Sequence, residues 1–234
     1  MTVKKKLTET ISEEQLSTWY SKINVNKDNF TNFYVDLLTK DFEMPMLEIN
    51  CGAGKILNKL SEKGIICEGI NEDICNYVFE KKYRTIFVPY ASFCALEDFS
   101  DAIKALKNIF SALDSGGRLA IDIYIPWDDL LSKNDKTWKI GGECFDNTTN
   151  QEFVFSYYDD FNLSDQVRTM HTKYEIFSLG EILSSRYEVV KTRWYSDTEF
   201  MLMLDKIGFK NIVIQKIFEK SLSNYSTLFL AEKP

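Results

Sequence analysis

The segment Met46-Leu47-Glu48-Ile49-Asn50-Cys51-Gly52-Ala53-Gly54-Lys55-Ile56-Leu57 constrains the fold of this chain more tightly than any other part of it. Behind Pro45, residues 46–50 are apolar enough to predict a short strand. The glycines then predict a tight turn, and the apolar spacing over residues 53–62 predicts a helix that Lys63-Gly64 ends. Gly52 and Gly54 carry no Cβ, so a ligand can lie close against the backbone there. A helix beginning near Ala53 aims its unpaired N–H groups at whatever occupies the turn. Glu48, at the end of the strand, is placed to hold a charged or hydroxylated part of that ligand. The turn is not a phosphate clamp, because there is no GxxxxGK(S/T) pattern and Lys55 follows the second glycine directly.

The neighbouring segments extend this unit into a sheet. Ile65-Ile66-Cys67-Glu68-Gly69-Ile70 predicts a second strand, so residues 46–70 make the right-handed strand–helix–strand crossover of a parallel sheet. Asn71-Glu72-Asp73 can cap a following helix. Thr85–Val88 reads as the next strand, running into Pro89-Tyr90-Ala91-Ser92. A helix over 98–113, with Phe99, Ile103, Leu106, Ile109, Phe110 and Leu113 inward, ends at Asp114-Ser115-Gly116-Gly117 before an apolar strand, Arg118–Tyr124. Asp197–Ile207 reads as a helix stopped by Gly208, and Asn211–Phe218 with Thr227–Ala231 as a closing antiparallel pair. Helices over 12–22 and 28–41 precede all of this, their inner faces marked by Trp19, Tyr20, Ile23, Phe30, Phe33, Tyr34 and Leu37. Residues 137–195 differ: Tyr, Phe, Thr and Val runs broken by polar turns predict four inserted antiparallel strands. The organisation expected is therefore N-terminal helices at 1–44 acting as a lid, a core at 45–126 and 196–234, and an insert at 127–195.

Composition narrows the partners. At 234 residues the chain can form one α/β domain with an insert and bury a substantial core. A net charge of -7 argues against a nucleic-acid surface, and the basic run Lys4-Lys5-Lys6 reads as a solvated tail. No stretch approaches the ~20 apolar residues that span a bilayer. The opening Met-Thr-Val-Lys-Lys-Lys lacks the apolar core of a secretion signal. The five cysteines, Cys51, Cys67, Cys75, Cys94 and Cys144, are odd in number and without CxxC spacing; they read as reduced, mostly buried thiols of a cytoplasmic protein. With a single histidine, no metal site is expected.

Leu47-Glu48-Ile49-Asn50-Cys51-Gly52-Ala53-Gly54 resembles the first motif of the class I S-adenosylmethionine-dependent methyltransferases, an acidic residue followed by GxGxG. Gly69-Ile70-Asn71 resembles the family's second-strand motif, and Pro89-Tyr90-Ala91-Ser92-Phe93 its fourth-strand region. Leu113-Asp114-Ser115-Gly116-Gly117-Arg118-Leu119 resembles the turn from helix to fifth strand. Arg193-Trp194-Tyr195-Ser196, leading into 197–207 and Gly208-Phe209, resembles the return from insert to core. The order covers nearly the whole chain and is similar to the small-molecule branch, including the amino-sugar N-methyltransferases, which carry an antiparallel insert. The resemblance implies an α/β fold, a Rossmann-like doubly wound, mostly parallel sheet with an antiparallel β insert after the fifth strand. It also implies S-adenosylmethionine as cofactor, S-adenosylhomocysteine as product, and methyl transfer to an amine or hydroxyl of a small metabolite. Three departures stand out. Asn50 replaces the family's first glycine, and Asn71 replaces the acidic residue that takes the ribose hydroxyls. Only thirteen residues, 72–84, stand where the family fits a helix, a third strand and an acidic adenine-side loop. Either the third strand is lost, or Thr85–Val88 is that strand and the fourth is degenerate.

On this resemblance Glu48, Asn50 and the turn residues Cys51, Gly52, Ala53 and Gly54 hold the methionine part of the cofactor. Asn71 and Glu72 face the ribose, Ser92 belongs to the same site, and Tyr20 closes over the carboxylate end. Tyr90 and His171 are the catalytic candidates, and Phe93, Trp127, Trp194 and Tyr195 the substrate-facing ones. Each has a plainer reading: Glu48 as a helix-facing charge, Asn71 as an N-cap, Tyr20 as packing, Cys51 as a spacer, and the insert residues, His171 included, as strand formers. Two functions follow, an active methyltransferase or a protein of that fold that no longer transfers methyl groups and works as a binding or scaffolding partner. A nicotinamide dehydrogenase fits less well, since Gly52-Ala53-Gly54-Lys55-Ile56-Leu57 lacks the third glycine or alanine of GxGxxG. An exposed strand edge in the insert makes a homodimer through it an expectation.

Overall fold

The computed structural model describes residues 9–23, 28–131, 136–218 and 225–234; Lys4-Lys5-Lys6 lies outside them. The core sheet is built from β2 (Met46–Ile49), β3 (Cys67–Ile70), β4 (Tyr83–Val88), β5 (Leu113–Tyr124), β10 (Lys210–Phe218) and β11 (Tyr225–Glu232). Its order is β10-β11-β5-β4-β2-β3, with β3, β2, β4 and β5 parallel and β11 and β10 antiparallel. Because side chains alternate along a strand, β5 sends Leu119, Ile121 and Ile123 to one face and Ala120 and Asp122 to the other. The first face packs under α4 (Phe99–Ala112) and α6 (Asp197–Ile207), the second under α2 (Asp28–Asp41) and α3 (Lys55–Glu62). This is the doubly wound arrangement the motifs imply.

The linker question is settled by pairing. β4 pairs with β2 on one side and β5 on the other, so it occupies the family's fourth position; among the described residues no strand lies beyond β3. The third strand is therefore lost. Nor does Asn71-Glu72-Asp73 start a helix. Asp73 instead folds the chain back locally, accepting from the Cys75 N–H at 3.0 Å and from Asn76 Nδ2 at 2.7 Å. Asn108 on α4 ties the segment down by donating to the carbonyls of Ile74 and Tyr77 at 2.9 and 2.7 Å.

One boundary moved for a local reason. Asp114–Gly117 is a bulge inside β5 rather than a loop before it: Tyr83 pairs with Leu113 and Thr85 with Arg118, while Gly116 takes φ +72°. On α4 the inner stripe is Ala102, Ala105, Leu106, Ile109 and Ala112, and Phe99 is 42% exposed. α6 ends at Gly208 as expected, and it opens on a capping box between Ser196 and Glu199.

The insert is a second sheet. Strands β6 (Lys139–Asp146), β7 (Gln151–Asn162), β8 (Val167–Ser178) and β9 (Glu181–Arg193) run antiparallel in sequence, and β1 (Glu9–Thr10) adds to β9 in parallel. α1 (Glu13–Ile23) covers it, with Trp19 stacked on Phe153 at 5.5 Å and Leu16 in the same cluster. The two N-terminal helices therefore divide, α1 packing on the insert and α2 on the core. Among the cysteines, all free, only Cys94 is buried; the other four are half-buried, which corrects the expectation of mostly buried thiols. Among the described residues no helix is long and apolar enough to cross a membrane.

Candidate functional site

The turn after β2 is left-handed at three positions, Asn50 (φ 57°), Gly52 (φ 55°) and Gly54 (φ 72°). Asparagine is the non-glycine residue most at ease there, so Asn50 preserves the backbone path that a glycine would take. The Gly54 N–H closes the turn on the Cys51 carbonyl at 2.8 Å, and among the described residues no side chain caps the start of α3. Around Gly52 the space is open: among the described residues, nothing beyond its chain neighbours lies within 4 Å of where a Cβ would sit.

Asn71 is spent on this turn. Its Oδ1 accepts the Gly52 N–H at 2.7 Å while its Nδ2 donates to the Gly52 carbonyl at 3.2 Å. An ionised carboxylate accepts only and could not make the second bond. The residue is neither an N-cap nor pointed at open space; it latches the loop. Gly69, in the adjacent strand, makes the close approach possible: a Cβ there would lie 2.5 Å from Leu57 Cδ1 and 2.7 Å from Cys51 Sγ. Gly69→Ala is accordingly expected to destabilise by about 1–3 kcal/mol through overpacking. Urea unfolding reads this directly, and an unchanged midpoint would mean the turn yields freely.

Beside the turn lies a crevice of about 180 Å³, lined by Ile49, Asn50, Glu72, Val88, Ser92 and Phe93. It sits at the carboxyl ends of β2 and β4, where the sheet's winding reverses, the position at which open α/β sheets bind ligands. It is smaller than the ~300–1,000 Å³ usual for ligand pockets, so it encloses only part of a nucleoside-sized ligand. Ser92 Oγ is buried here without a hydrogen-bond partner among the described residues. Phe93 walls the crevice without filling it, held in the core against Phe200 at 5.5 Å.

Two buried carboxyls stand on the α2 side. Glu48 is 1% exposed, and its Oε2 has no partner among the described residues. Asp122 is fully buried and accepts from Tyr34 Oη at 2.5 Å and from the Ala91 N–H at 2.7 Å. Burial pushes Glu48 up to about 8. Burial also pushes Asp122 up to about 7, against the hydrogen bonds from Tyr34 and from the Ala91 and Tyr90 N–H groups, which favour its charged form. Both folded values lie above the ordinary carboxyl range, so the native state binds more protons than the unfolded one. The stability that these two groups contribute is then full below about pH 4 and is lost as pH rises through 7 to 8. Glu48→Gln is expected to remove the part of that decline extending to about pH 8 and to leave the part that Asp122 contributes. Denaturation at a series of pH values measures it, and an unaltered slope would assign the decline elsewhere.

A second space, about 310 Å³, opens between core and insert, lined among others by Tyr90, Ala91, Cys94, Tyr124, Arg168 and Trp194. Tyr90 and Ala91 both take left-handed φ, at 61° and 50°, and the Ala91–Asp122 bond holds them. The Tyr90 hydroxyl is bonded to Thr31 Oγ1 at 2.6 Å, and its ring lies against Phe30. Arg168 is neutralised by Asp159 through bonds of 2.7 and 2.8 Å, with Asp129 at 3.6 Å. Burial pushes the Tyr124 phenol up to about 12.

The structure thus gathers Asn50, Glu72, Ser92 and Phe93 around one crevice, with Gly52 in the turn beside it, and Tyr90 and Trp194 around the adjoining cavity. Ala53 and Cys51 lie in the turn itself. The remaining candidates fall elsewhere. Tyr195 is a core residue, 0% exposed between Phe93 and Phe200, rather than substrate-facing. Trp127 is 46% exposed at the start of α5 (Trp127–Leu131) and lies outside the cavity lining. His171 points to the outer face of the insert sheet, since Arg168 on the same strand faces the cavity and side chains alternate. There it stacks on Tyr158 at 4.4 Å and bonds to Tyr187. The side chain of Tyr20 lies outside the described residues. Asp122, Tyr34, Arg168 and Arg193 were not among the site candidates read from sequence; an acid inside the apolar run Leu119–Ile123 was the one visible signal.

The fold defined by this sheet order and insert is that of S-adenosylmethionine-dependent methyltransferases. No family model and no curated protein matches the chain. Among solved structures it is similar to an S-adenosylmethionine-dependent methyltransferase from Clostridium acetobutylicum, at 18% identity over 94% of this chain and 98% of that one, TM-score 0.68. It is also similar to an amino pentose methyltransferase from Micromonospora echinaspora, determined with S-adenosylmethionine bound, at 10% identity over 97% and 100% of the two chains, TM-score 0.70. A sugar N-methyltransferase from Streptoalloteichus aligns at 12% identity over 100% and 96%, TM-score 0.67.

Proposed function

We propose that this protein is an S-adenosylmethionine-dependent methyltransferase acting on an amine or hydroxyl of a small molecule. The observation that carries the reading is the latched left-handed turn at the sheet's reversal point, opening on a crevice that shares the 90–94 segment with a larger cavity. The solved structures of like fold that act on amino sugars support an amine on a sugar-like acceptor.

The residues present suit the cofactor. Open space over Gly52 and the unpartnered Ser92 Oγ are what a site that hydrogen-bonds a ligand would leave. The backbone of Asn50, Gly52 and Ala53 would hold the methionine part, and Glu72 and Ser92 the nucleoside part. When bound, the cofactor supplies an electrophilic methyl carbon for in-line displacement. The chain's own work is to orient the acceptor and exclude water. Tyr90 does this from the cavity wall: its Oη, anchored by Thr31, takes a hydrogen bond from the acceptor's N–H or O–H and turns the lone pair toward the turn. Asp122 keeps that wall in place through Ala91. His171, on the far sheet face, has no part in the proposal.

S-adenosylhomocysteine at about 100 times its Kd is expected to add ~2.7 kcal/mol of stability, raising Tm by roughly 5–10 °C for a chain of this size. Adenosine alone should do less. A Tm indifferent to both S-adenosylmethionine and S-adenosylhomocysteine would overturn the proposal and favour a protein that has kept the fold without the cofactor.

A further inference from the structure

Arg193 ends β9 and lines the cavity of about 310 Å³. Its guanidinium lies over the rings of Phe99 and Tyr195, at 5.3 and 5.8 Å from their centroids, and Nη1 donates to the Glu97 carbonyl at 3.3 Å. Nε is buried and has no hydrogen-bond partner among the described residues. No carboxylate among them lies within ion-pair distance of it. The acids close by in the chain are engaged otherwise: Glu97 pairs with Lys191 at 3.2 Å, and Asp98 accepts the Ser100 N–H at 2.6 Å. The contrast with Arg168 in the same cavity is sharp, since Asp159 and Asp129 already neutralise that side chain.

A buried donor left without an acceptor costs about 1–3 kcal/mol, and native structures rarely leave one unexplained. The rigid fork of a guanidinium matches the paired oxygens of a carboxylate or phosphate, and the aromatic rings fix its plane. Thr192 and Ser226, also in the lining, add neutral hydroxyls. The chain's net charge of -7 repels anions in general, so attraction here must be local.

We infer that Arg193 is the anion-binding residue of this cavity, and that the compound held there carries an oxyanion, a carboxylate or a phosphate, beside the group that accepts the methyl. The second half rests on the proposed function, and the first does not. The test is calorimetric titration of the full chain with inorganic phosphate and, separately, with acetate, at constant ionic strength against a chloride baseline. One saturable site for at least one anion is expected, and the anion that binds identifies the source. Arg193→Gln should weaken it at least about tenfold, Arg193→Lys should keep part of it, and Arg84→Gln, whose guanidinium is paired with Glu43 elsewhere, should leave it unchanged. S-adenosylhomocysteine binding should survive Arg193→Gln. No saturable anion site, or equal affinity in wild type and Arg193→Gln, would overturn the inference even with cofactor binding intact. Conversely, an Arg193-dependent anion site in a protein that ignores S-adenosylhomocysteine would leave the inference standing and remove the methyltransferase reading.

Discussion

Asp122→Ala is expected to destabilise the protein by about 2–5 kcal/mol at pH 6, one of the largest single-residue effects available in this fold. At that pH the Asp122 carboxyl, raised to about 7 by burial, is mostly protonated, so no buried charge complicates the comparison. Truncation leaves two donors without their acceptor, the Tyr34 hydroxyl and the Ala91 N–H. Tyr34 is fully buried, and water cannot reach it without disturbing α2. Asp122→Asn keeps an acceptor and should lose much less, while Tyr34→Phe removes one donor only and should fall between. Urea unfolding of the three variants settles the order; a truncation within about 0.5 kcal/mol of wild type, the range of ordinary surface changes, would mean the pair is not a structural hub. The functional link is the Tyr90-Ala91 turn, because the same carboxyl that anchors α2 holds the wall of the cavity.

Gly52→Val is expected to weaken S-adenosylhomocysteine binding at least about a hundredfold, which corresponds to roughly 2.7 kcal/mol. Its effect on stability should be smaller, about 1–3 kcal/mol, from forcing a β-branched residue into φ +55°. Among the described residues, no atom beyond Gly52 and its two chain neighbours lies within 4 Å of the new Cβ, so little is lost to collision within the chain. What the valine does occupy is the space over the turn that the proposal gives to the ligand. Gly52→Ala should lie between the two in affinity. Valine binding as well as glycine would place the ligand elsewhere.

The sequence was most legible where the signal is local. Gly52 and Gly54 mark a tight turn by residue type alone, and the turn is there, left-handed at Asn50, Gly52 and Gly54. The insert's four strands were equally visible, since apolar runs broken by polar turns do not depend on distant partners. Long-range contacts hid the rest. Asp122 looks like an intruder in an apolar strand until Tyr34, 88 positions earlier, is seen to bond it. The 72–84 link lacks a helix because Asn108 on another element captures its carbonyls. Asn71 looked like a ligand or cap because its actual partner, the Gly52 backbone, meets it only once β3 pairs beside β2. His171 and Arg168 carry a simpler lesson: they are three apart on one strand, so parity alone puts them on opposite faces.

The central claim is that the turn and crevice hold S-adenosylmethionine, and direct calorimetric titration of the wild-type chain with S-adenosylmethionine and with S-adenosylhomocysteine tests it most directly. One-to-one binding of both at micromolar Kd, lost in Gly52→Val while the variant remains folded, is the expected result. The absence of saturable heat with either ligand, in protein that unfolds cooperatively, would contradict it.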